Sequence, residues 1–408
     1  MTEDVRDLPM LVPRFVTRFS CLKGECPDTC CFGRDVNVSE DRMVFFHGLQ
    51  SSMGAGGGQY SCPETQTLAQ GGRVCTQGSG AACALLSSEG LCLLWQAAGE
   101  NALPVVCYNY PRISHLLGAR AEQTLSFSCP AAASRALMDD DAFVFEEAAV
   151  PLPAGTILEI EAATGFDHAI IDEARILALQ LLTEDRVSNA ECWVALGILC
   201  DQIDQCSSRL QPTQLAGALQ EIVAFVESGE VQEVVGRISA APAATGSVIA
   251  LLLGDIVASA RSPHQQRIMS RAMAGLGWVA GASTDVQAIG RRYAEILESL
   301  ESDTSRMLDR CLRRFLLNES FQAAFPWGRQ GPATQQLREL VVLYGCLRLL
   351  LVGAVASGAG GWGDKSMVAT AQVFARIVMH TPSFLVRANQ LLLASGGGHL
   401  AKLMQLVR

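Results

Sequence analysis

From about residue 165 onward, apolar residues recur every three or four positions, and that period predicts helices. The segment 168–183 carries Ile171, Ala174, Leu177, Leu179 and Leu182 on one face. The segment 188–206 opens with Ser188 and Glu191, the spacing of a capping box. Further helices are expected over 214–228, 229–239, 247–260 and 262–277, the last opening on Ser262–Pro263. The pattern continues over 283–300, 303–323, 334–357, 366–380 and 383–394. Short connections between them describe a bundle-like helical domain over 165–408. Neither strand–helix alternation nor a repeat of fixed period is visible, so a Rossmann-type parallel sheet is not expected.

Residues 1–135 read differently. Long periodic segments give way to Cys, Gly, Pro and short apolar runs. Such a stretch lacks the material for a large regular core, and metal ligation would supply the missing folding energy. The run SSMGAGGGQY (51–60) has the character of a surface loop. A phosphate cradle would need a strand before it and a helix after it. Residues 136–164 connect the two parts, with an acidic turn at Asp139–Asp141 and a short strand expected at Phe143–Phe145. The expected fold class is therefore mainly α: an irregular, metal-stabilised, cysteine-rich N-terminal domain (1–135), a connecting segment, and a multi-helix domain.

Composition narrows the function. Of 408 residues, 49% are hydrophobic and 18% charged, which excludes a mostly disordered chain. A net charge of -10 and no dense basic stripe argue against a nucleic-acid partner. The apolar stretch 339–360 carries Arg348 near its middle, costly in lipid. A buried core helix is the expectation there, with no stable membrane insertion. The acidic N-terminus lacks the basic-then-apolar order of a secretory signal, so a cytoplasmic setting is expected, where disulfides seldom persist.

The chain has 15 cysteines, and ten of them fall within residues 21–129. Cys192, Cys200, Cys311 and Cys346 sit in helical patterns and read as small core hydrophobes, as does Cys206 at the end of one. The adjacent pair Cys30–Cys31 in a polar stretch has no such packing reason. RFSCLKGECPDTCC supplies Cys21, Cys26, Cys30 and Cys31. CALLSSEGLCLLWQAAGENALPVVCYNYPR supplies Cys83, Cys92 and Cys107, and LSFSCP supplies Cys129. Thiolates in this density suit soft ions or iron bound through sulfide. Pro27, Pro111 and Pro130 would stiffen the loops around them.

These blocks resemble the flagellin lysine-N-methylases. CPDTCC, the YPR block and LSFSCP carry the resemblance, and CLRRFLLNESFQAAFPW (311–327) and FARIVMH (374–380) extend it into the helical half. The resemblance implies transfer of a methyl group from S-adenosylmethionine to lysines of flagellin or a related protein. It also implies a [4Fe-4S] cluster held by cysteines among Cys21, Cys26, Cys30, Cys31, Cys83, Cys92, Cys107 and Cys129. One cluster needs four of the eight, and spacing does not say which. Two zinc ions are the alternative. A metal protein with a redox, sensing or protein-binding role and no methylase activity is the competing reading. The chain departs from the family after Cys31, where Phe32 and Gly33 replace the usual tryptophan-bearing stretch. The Gly/Ser/Gln-rich insertion before Cys83 brings Cys62 and Cys75, read as loop thiols.

Methyl transfer to an amine needs a neutral nitrogen, and free lysine has a pKa of about 10.4. A working site would desolvate that amine and hold a sulfonium against aromatic faces. Tyr108, Tyr110 and Trp95 are candidates for that role, with packing of a small domain as the alternative. Arg112 is a candidate for the donor's carboxylate or for balancing a cluster's charge. A C-x3-C-x2-C motif is absent, and the glycine run Gly54–Gly58 lacks the flanking strand and helix that a methyltransferase G-x-G-x-G fingerprint would need. Among the histidines His380, within FARIVMH, is the strongest functional candidate, followed by His115. No general base is identifiable. The 28 Arg against three Lys (Lys23, Lys365, Lys402) read as compositional bias.

Overall fold

The computed structural model describes residues 5–32, 36–38, 65–67, 73–75, 82–83, 85–87, 89–153, 156–160, 166–209, 213–278, 285–328, 331–358, 362–381, 383–394 and 399–408. The loop 51–60 and Cys62 lie outside these residues. The protein is mainly helical, and the helical period found its elements. They are α4 (His168–Thr183), α5 (Asn189–Ser208), α6 (Thr213–Glu227), α7 (Glu230–Arg237), α8 (Pro242–Ala258) and α9 (Pro263–Gly275). They continue with α10 (Val286–Ser299), α11 (Ser302–Gln322), α12 (Ala333–Ala356), α13 (Asp364–Met379), α14 (Ser383–Ala394) and α15 (Leu400–Val407). The Ser188–Glu191 capping box closes reciprocally at the start of α5. Ser262 and Gln265 form a second one at the start of α9.

The apolar helix α12 is the hub. It packs against α5, α8, α9, α10, α11, α13, α14 and α15. Its length and hydropathy suit a bilayer span, yet 83% of its most apolar window is buried inside the protein. Arg348 on it donates to the carbonyls of Val407 and Arg408. Close approach to α9 depends on two glycines: a Cβ on Gly275 would stand 1.9 Å from the Gly353 carbonyl oxygen. Cys192, Cys200, Cys206, Cys311 and Cys346 are buried in this core.

The N-terminal region is not irregular throughout. A five-stranded mixed sheet is built from β1 (Val5–Pro13), β5 (Arg112–Leu117), β6 (Arg120–Leu125), β7 (Phe145–Pro153) and β8 (Leu158–Ile160), in the order β7-β1-β6-β5-β8. β1 runs antiparallel to β7 and parallel to β6, and β5–β6 is a hairpin. The strand expected at Phe143–Phe145 begins where that expectation ended, at Phe145. A smaller sheet joins β2 (Val36–Val38), β3 (Thr65–Thr67) and β4 (Arg73–Cys75) in the order β2-β4-β3. The large sheet escaped the alternation test for a physical reason. β1 contains two prolines, and β5 and β6 bury polar side chains: Ser114, His115, Glu122, Gln123 and Thr124.

Those buried polar groups join the sheet to the helices. Arg175 of α4 is 0% exposed and donates through Nη2 to Glu122 Oε2 at 2.7 Å. It also donates to the carbonyls of Ser320, Phe321 and Phe325. His115 Nε2 meets the same Glu122 oxygen at 2.8 Å. Burial opposes the charge on Glu122, but Arg175 and His115 outweigh it and hold the carboxyl down at about 2. Thr124 donates to Asn318 of α11 at 2.7 Å, and Asn318 donates on to the Leu125 carbonyl. One apolar core consequently runs without a break from Met10 and Val12 of β1 through α4 to α15. The acidic turn is clamped rather than merely solvated: Asp141 accepts from Arg14 and Arg18, and Arg314 donates to the carbonyls of Ala136, Leu137, Asp139 and Asp140.

The cysteine segment has a core of its own, and it is small. Val36, Leu94 and Ala102 are its buried apolar residues, with Leu85, Cys92, Leu103, Val106 and Cys107 packed around them. Two short helices serve it, α1 (Leu93–Ala98) and α2 (Val105–Asn109), and α3 (Pro130–Met138) follows on the side of α13.

Candidate functional site

The eight cysteines of the three sequence blocks come together. Cys21, Cys26, Cys30, Cys31, Cys83, Cys92, Cys107 and Cys129 all line one cavity of about 180 Å³. Tyr108, Tyr110, Arg112 and Trp95 line it too, as do Lys23, Asp28 and Glu100. Neither His115 nor His380 does. His115 is 1% exposed and committed to Glu122. The backbone N–H of His380 caps α13 by donating to the carbonyls of Arg376 and Ile377.

Local structure explains how each thiol arrives. A single 3-10 turn, Lys23–Glu25, reverses the chain between Cys21 and Cys26. The Cys83 N–H donates to the Cys31 carbonyl at 2.7 Å, and a β-bridge pairs Leu86 with Cys92. The first contact draws the second block onto the first, and the bridge folds the second block back on itself. Cys92 is the N-cap of α1, and Cys129 the N-cap of α3 with Pro130 in its first turn. Cys107 lies within α2, and the Tyr110–Pro111 bond after it is cis. Tyr110 shares a hydrogen bond with Ser128 at 3.0 Å. Arg112 donates to the Tyr108 carbonyl at 3.1 Å, with its guanidinium 5.8 Å from the ring centroids of both Phe19 and Tyr108.

The thiols fall on two flanks. Cys31 is in hydrogen-bonding contact with Cys30 and Cys92, and Cys83 stands beside Cys92 and Cys30. On the other flank Cys26 neighbours Cys21, and Cys129 neighbours both. Cys30 faces both groups. Burial dominates their chemistry: it pushes Cys26 up to about 11 and Cys129 up to about 12, and it raises Cys83. Cys92 is the exception. The Cys31 thiol beside it and the Leu94 and Trp95 amides at the helix start draw it down to about 6, while Cys31 rises in return. Cys26, Cys31, Cys83 and Cys129 are therefore neutral near pH 7 on their own, and a coordinated cation is what would ionise them. Among the described residues, no three His, Cys, Asp or Glu side chains converge as a set for one metal ion.

The helical domain grips the cysteine loop from behind, through residues that sequence reasoning did not single out. Asp28, between Cys26 and Cys30, is 3% exposed. Gln372 of α13 donates from Nε2 to Asp28 Oδ2 at 2.9 Å and to the Ser128 carbonyl at 2.9 Å. Gln265 of α9 reaches Asp28 Oδ1 at 3.3 Å. Arg376, one turn after Gln372, donates to the carbonyls of Asp28, Thr29 and Phe32 at 2.8–2.9 Å. Its Nε lies 3.5 Å from Asp28 Oδ2. The loop carrying Cys26, Cys30 and Cys31 and the turn before Cys129 are thus pinned to one helix face. FARIVMH lies on this helix, and its Arg376 is the side chain that holds the loop. The signal was available as two polar residues, Gln372 and Arg376, four apart on a mostly buried helix face.

The family model described as the FliB lysine N-methylase C-terminal domain matches residues 175–406, which contain Arg175, Gln265, Gln372 and Arg376. A lysine-N-methylase of Salmonella typhimurium (strain LT2) is 25% identical over 144 residues, covering 35% of this chain and 36% of that protein. A lysine-N-methylase of Salmonella choleraesuis is 24% identical over the same length, with the same coverage. The flagellar biosynthetic protein FliU of Salmonella muenchen is 24% identical over 155 residues, 35% of this chain and 85% of that protein. The alignment thus spans about a third of the length of the two methylases. No solved structure matches the chain. With more than half of its residues matched by the family model, the chain belongs to the flagellin lysine N-methylase family, of which FliB is the namesake.

Proposed function

We propose that the protein transfers methyl groups from S-adenosylmethionine to lysine side chains of flagellin or a related protein, with the thiol-lined cavity as the home of a [4Fe-4S] cluster. One observation carries the reading. Eight cysteines and the candidate donor-binding residues Tyr108, Tyr110 and Arg112 share a single cavity, and residues within the family-matched region hold it in place.

The donor set fits the group. Thiolates select iron–sulfur clusters and zinc over hard cations. A lone zinc needs four ligand atoms at about 2.0–2.3 Å from one point, whereas a cluster is held by thiolates spread around a larger body. Eight cysteines distributed around one cavity support the cluster over a lone zinc. Its ligands would come from the two flanks that meet at Cys30. A bound cluster would supply a redox-active, thiolate-anchored centre that also fixes the loops around it.

The chain's own residues do the rest. Arg112 is placed to take a carboxylate of the donor, and Tyr108 and Tyr110 offer aromatic faces to a sulfonium. The partly enclosed cavity desolvates an entering amine and favours its neutral, nucleophilic form. In the transfer, the lysine nitrogen forms a bond to the methyl carbon as the carbon–sulfur bond breaks. The proton leaves the amine, and S-adenosylhomocysteine departs.

The test is anaerobic purification with iron, sulfide and absorption analysis, followed by incubation with labelled S-adenosylmethionine and purified flagellin. Iron and sulfide with label in flagellin lysines are expected. Zinc alone, or a loaded cluster with neither donor binding nor label, would replace this reading with a non-catalytic metal protein.

A further inference from the structure

The cavity already holds an alkylammonium, and it belongs to the protein itself. Lys23 Nζ sits 4.3 Å from the ring centroid of Trp95. Both residues line the cavity, as does the exposed carboxylate-bearing Glu100. The arrangement is built into the backbone. Lys23 has φ +54°, a left-handed conformation that is uncommon for a residue with a Cβ. It is fixed there by its N–H on Cys21 Sγ at 3.3 Å and by its carbonyl, which accepts from Cys26 N–H. Gly24 next to it passes so close that an added Cβ would lie 3.2 Å from the Glu89 carbonyl. Trp95 is set from the other side by α1, one turn after its N-cap Cys92. Strained backbone at a cavity rim is where ligand-handling residues concentrate.

We propose that the Trp95 face, in the cavity that Glu100 also lines, is the docking seat where the acceptor lysine arrives as an ammonium before it gives up its proton to become the nucleophile, and that Lys23 is the seat's resident occupant, which an incoming lysine displaces. The inference rests on the lysine-methylase reading for the identity of the ligand. Its physical content is independent of that reading: an aromatic face and a carboxylate in one cavity bind primary and methylated alkylammonium groups. Lys23 is one of only three lysines in the chain, so a retained lysine here competes for the seat that its own kind would fill.

The probe is Nα-acetyl-Nε-trimethyllysine amide, with its uncharged tert-butyl isostere as control. Both are titrated calorimetrically into metal-loaded full-length protein in four forms: wild type, Lys23→Ala, Trp95→Phe and Trp95→Leu. Lys23→Ala is expected to bind the cation roughly three- to tenfold tighter than wild type. Affinity should fall from Trp through Phe to Leu at position 95, and the isostere should bind more weakly throughout. The graded series separates loss of an aromatic face from collapse of the domain, which would remove binding by Phe and Leu alike along with metal content. Equal binding of isostere and cation, or unchanged affinity in Lys23→Ala, would overturn the proposal. No methyl transfer enters the readout, so a failure to label flagellin and a failure of this seat remain distinct results.

Discussion

The two halves of the molecule solve the problem of stability in different ways. The sheet and helices α4–α15 share one extensive apolar core, with α12 buried at its centre. Among the described residues, the segment carrying the cysteines has three buried apolar residues to call a core, beside a cavity lined by its thiols. Apolar burial contributes about 25 cal/mol per Å², and those three residues contribute little of it against the cost of ordering the loops around them. The segment is instead clamped from outside by Asp28, Gln372 and Arg376, and it presents thiols inward. The comparison teaches that the helical half has an extensive core of its own, and that the front segment is held against it by polar contacts around thiols that face a cavity.

The largest expected effect lies where the two kinds of structure meet. Arg175→Met leaves Glu122 buried without its guanidinium and removes a donor from three carbonyls, two of which keep a backbone N–H partner. A loss of about 3–5 kcal/mol is expected, read as a lower melting temperature of the whole protein. A shift within error would show that the buried pair does not bind sheet to helices.

Next comes a matched pair of core truncations. Leu350→Ala in α12, at 0% exposure, should cost about 2–5 kcal/mol, because the surrounding helices relax only partly. Leu94→Ala in the small cluster should cost less than Leu350→Ala in the global melt and show instead as lost metal content. Equal costs in the same melt would erase the distinction between the two regions.

Acid offers a comparable test without mutation. Glu122 titrates at about 2 in the folded protein, against an ordinary value of 4.5. Its contribution, about 3 kcal/mol, is fully present above pH 4.5 and is lost as pH falls through 2. Denaturant melts between pH 6 and 2 should show that loss, and Glu122→Gln should flatten it. A pH-independent midpoint across that window would contradict the assignment.

The smallest global effect is expected from Arg376→Ala. It removes three hydrogen bonds to the cysteine loop, each worth about 1 kcal/mol, while α13 stays packed. Faster proteolysis around Asp28–Phe32 with nearly unchanged helical melting is the expected result. Unchanged proteolysis would mean that the loop needs no clamp.

Much of this was written in the chain. Helix starts at Ser188 and Ser262 are local capping chemistry, so a sequence window sees them whole. The cysteines were legible as a group because thiols of that density have few other uses. Their convergence on one cavity depends on the Cys31–Cys83 backbone hydrogen bond and the Phe32–Ala82 bridge, contacts about 50 residues apart that no window spans. The sheet was hidden because its strands bury Glu122, His115 and Thr124, which only make sense once Arg175 and Asn318 arrive from far along the chain. Gln372 and Arg376 were hidden for the same reason: their partner, Asp28, lies more than 340 residues away.

The central claim is that an inorganic centre in the cavity holds the front segment, while the helical core stands without it. Hydrogen exchange on anaerobically prepared protein, before and after removal of bound metal, tests this most directly. The account predicts that amides of 19–32 and 83–110 lose protection on metal removal, while those of α4 to α15 keep theirs. A native preparation free of iron, sulfide and zinc, in which the front segment is already protected, would contradict it.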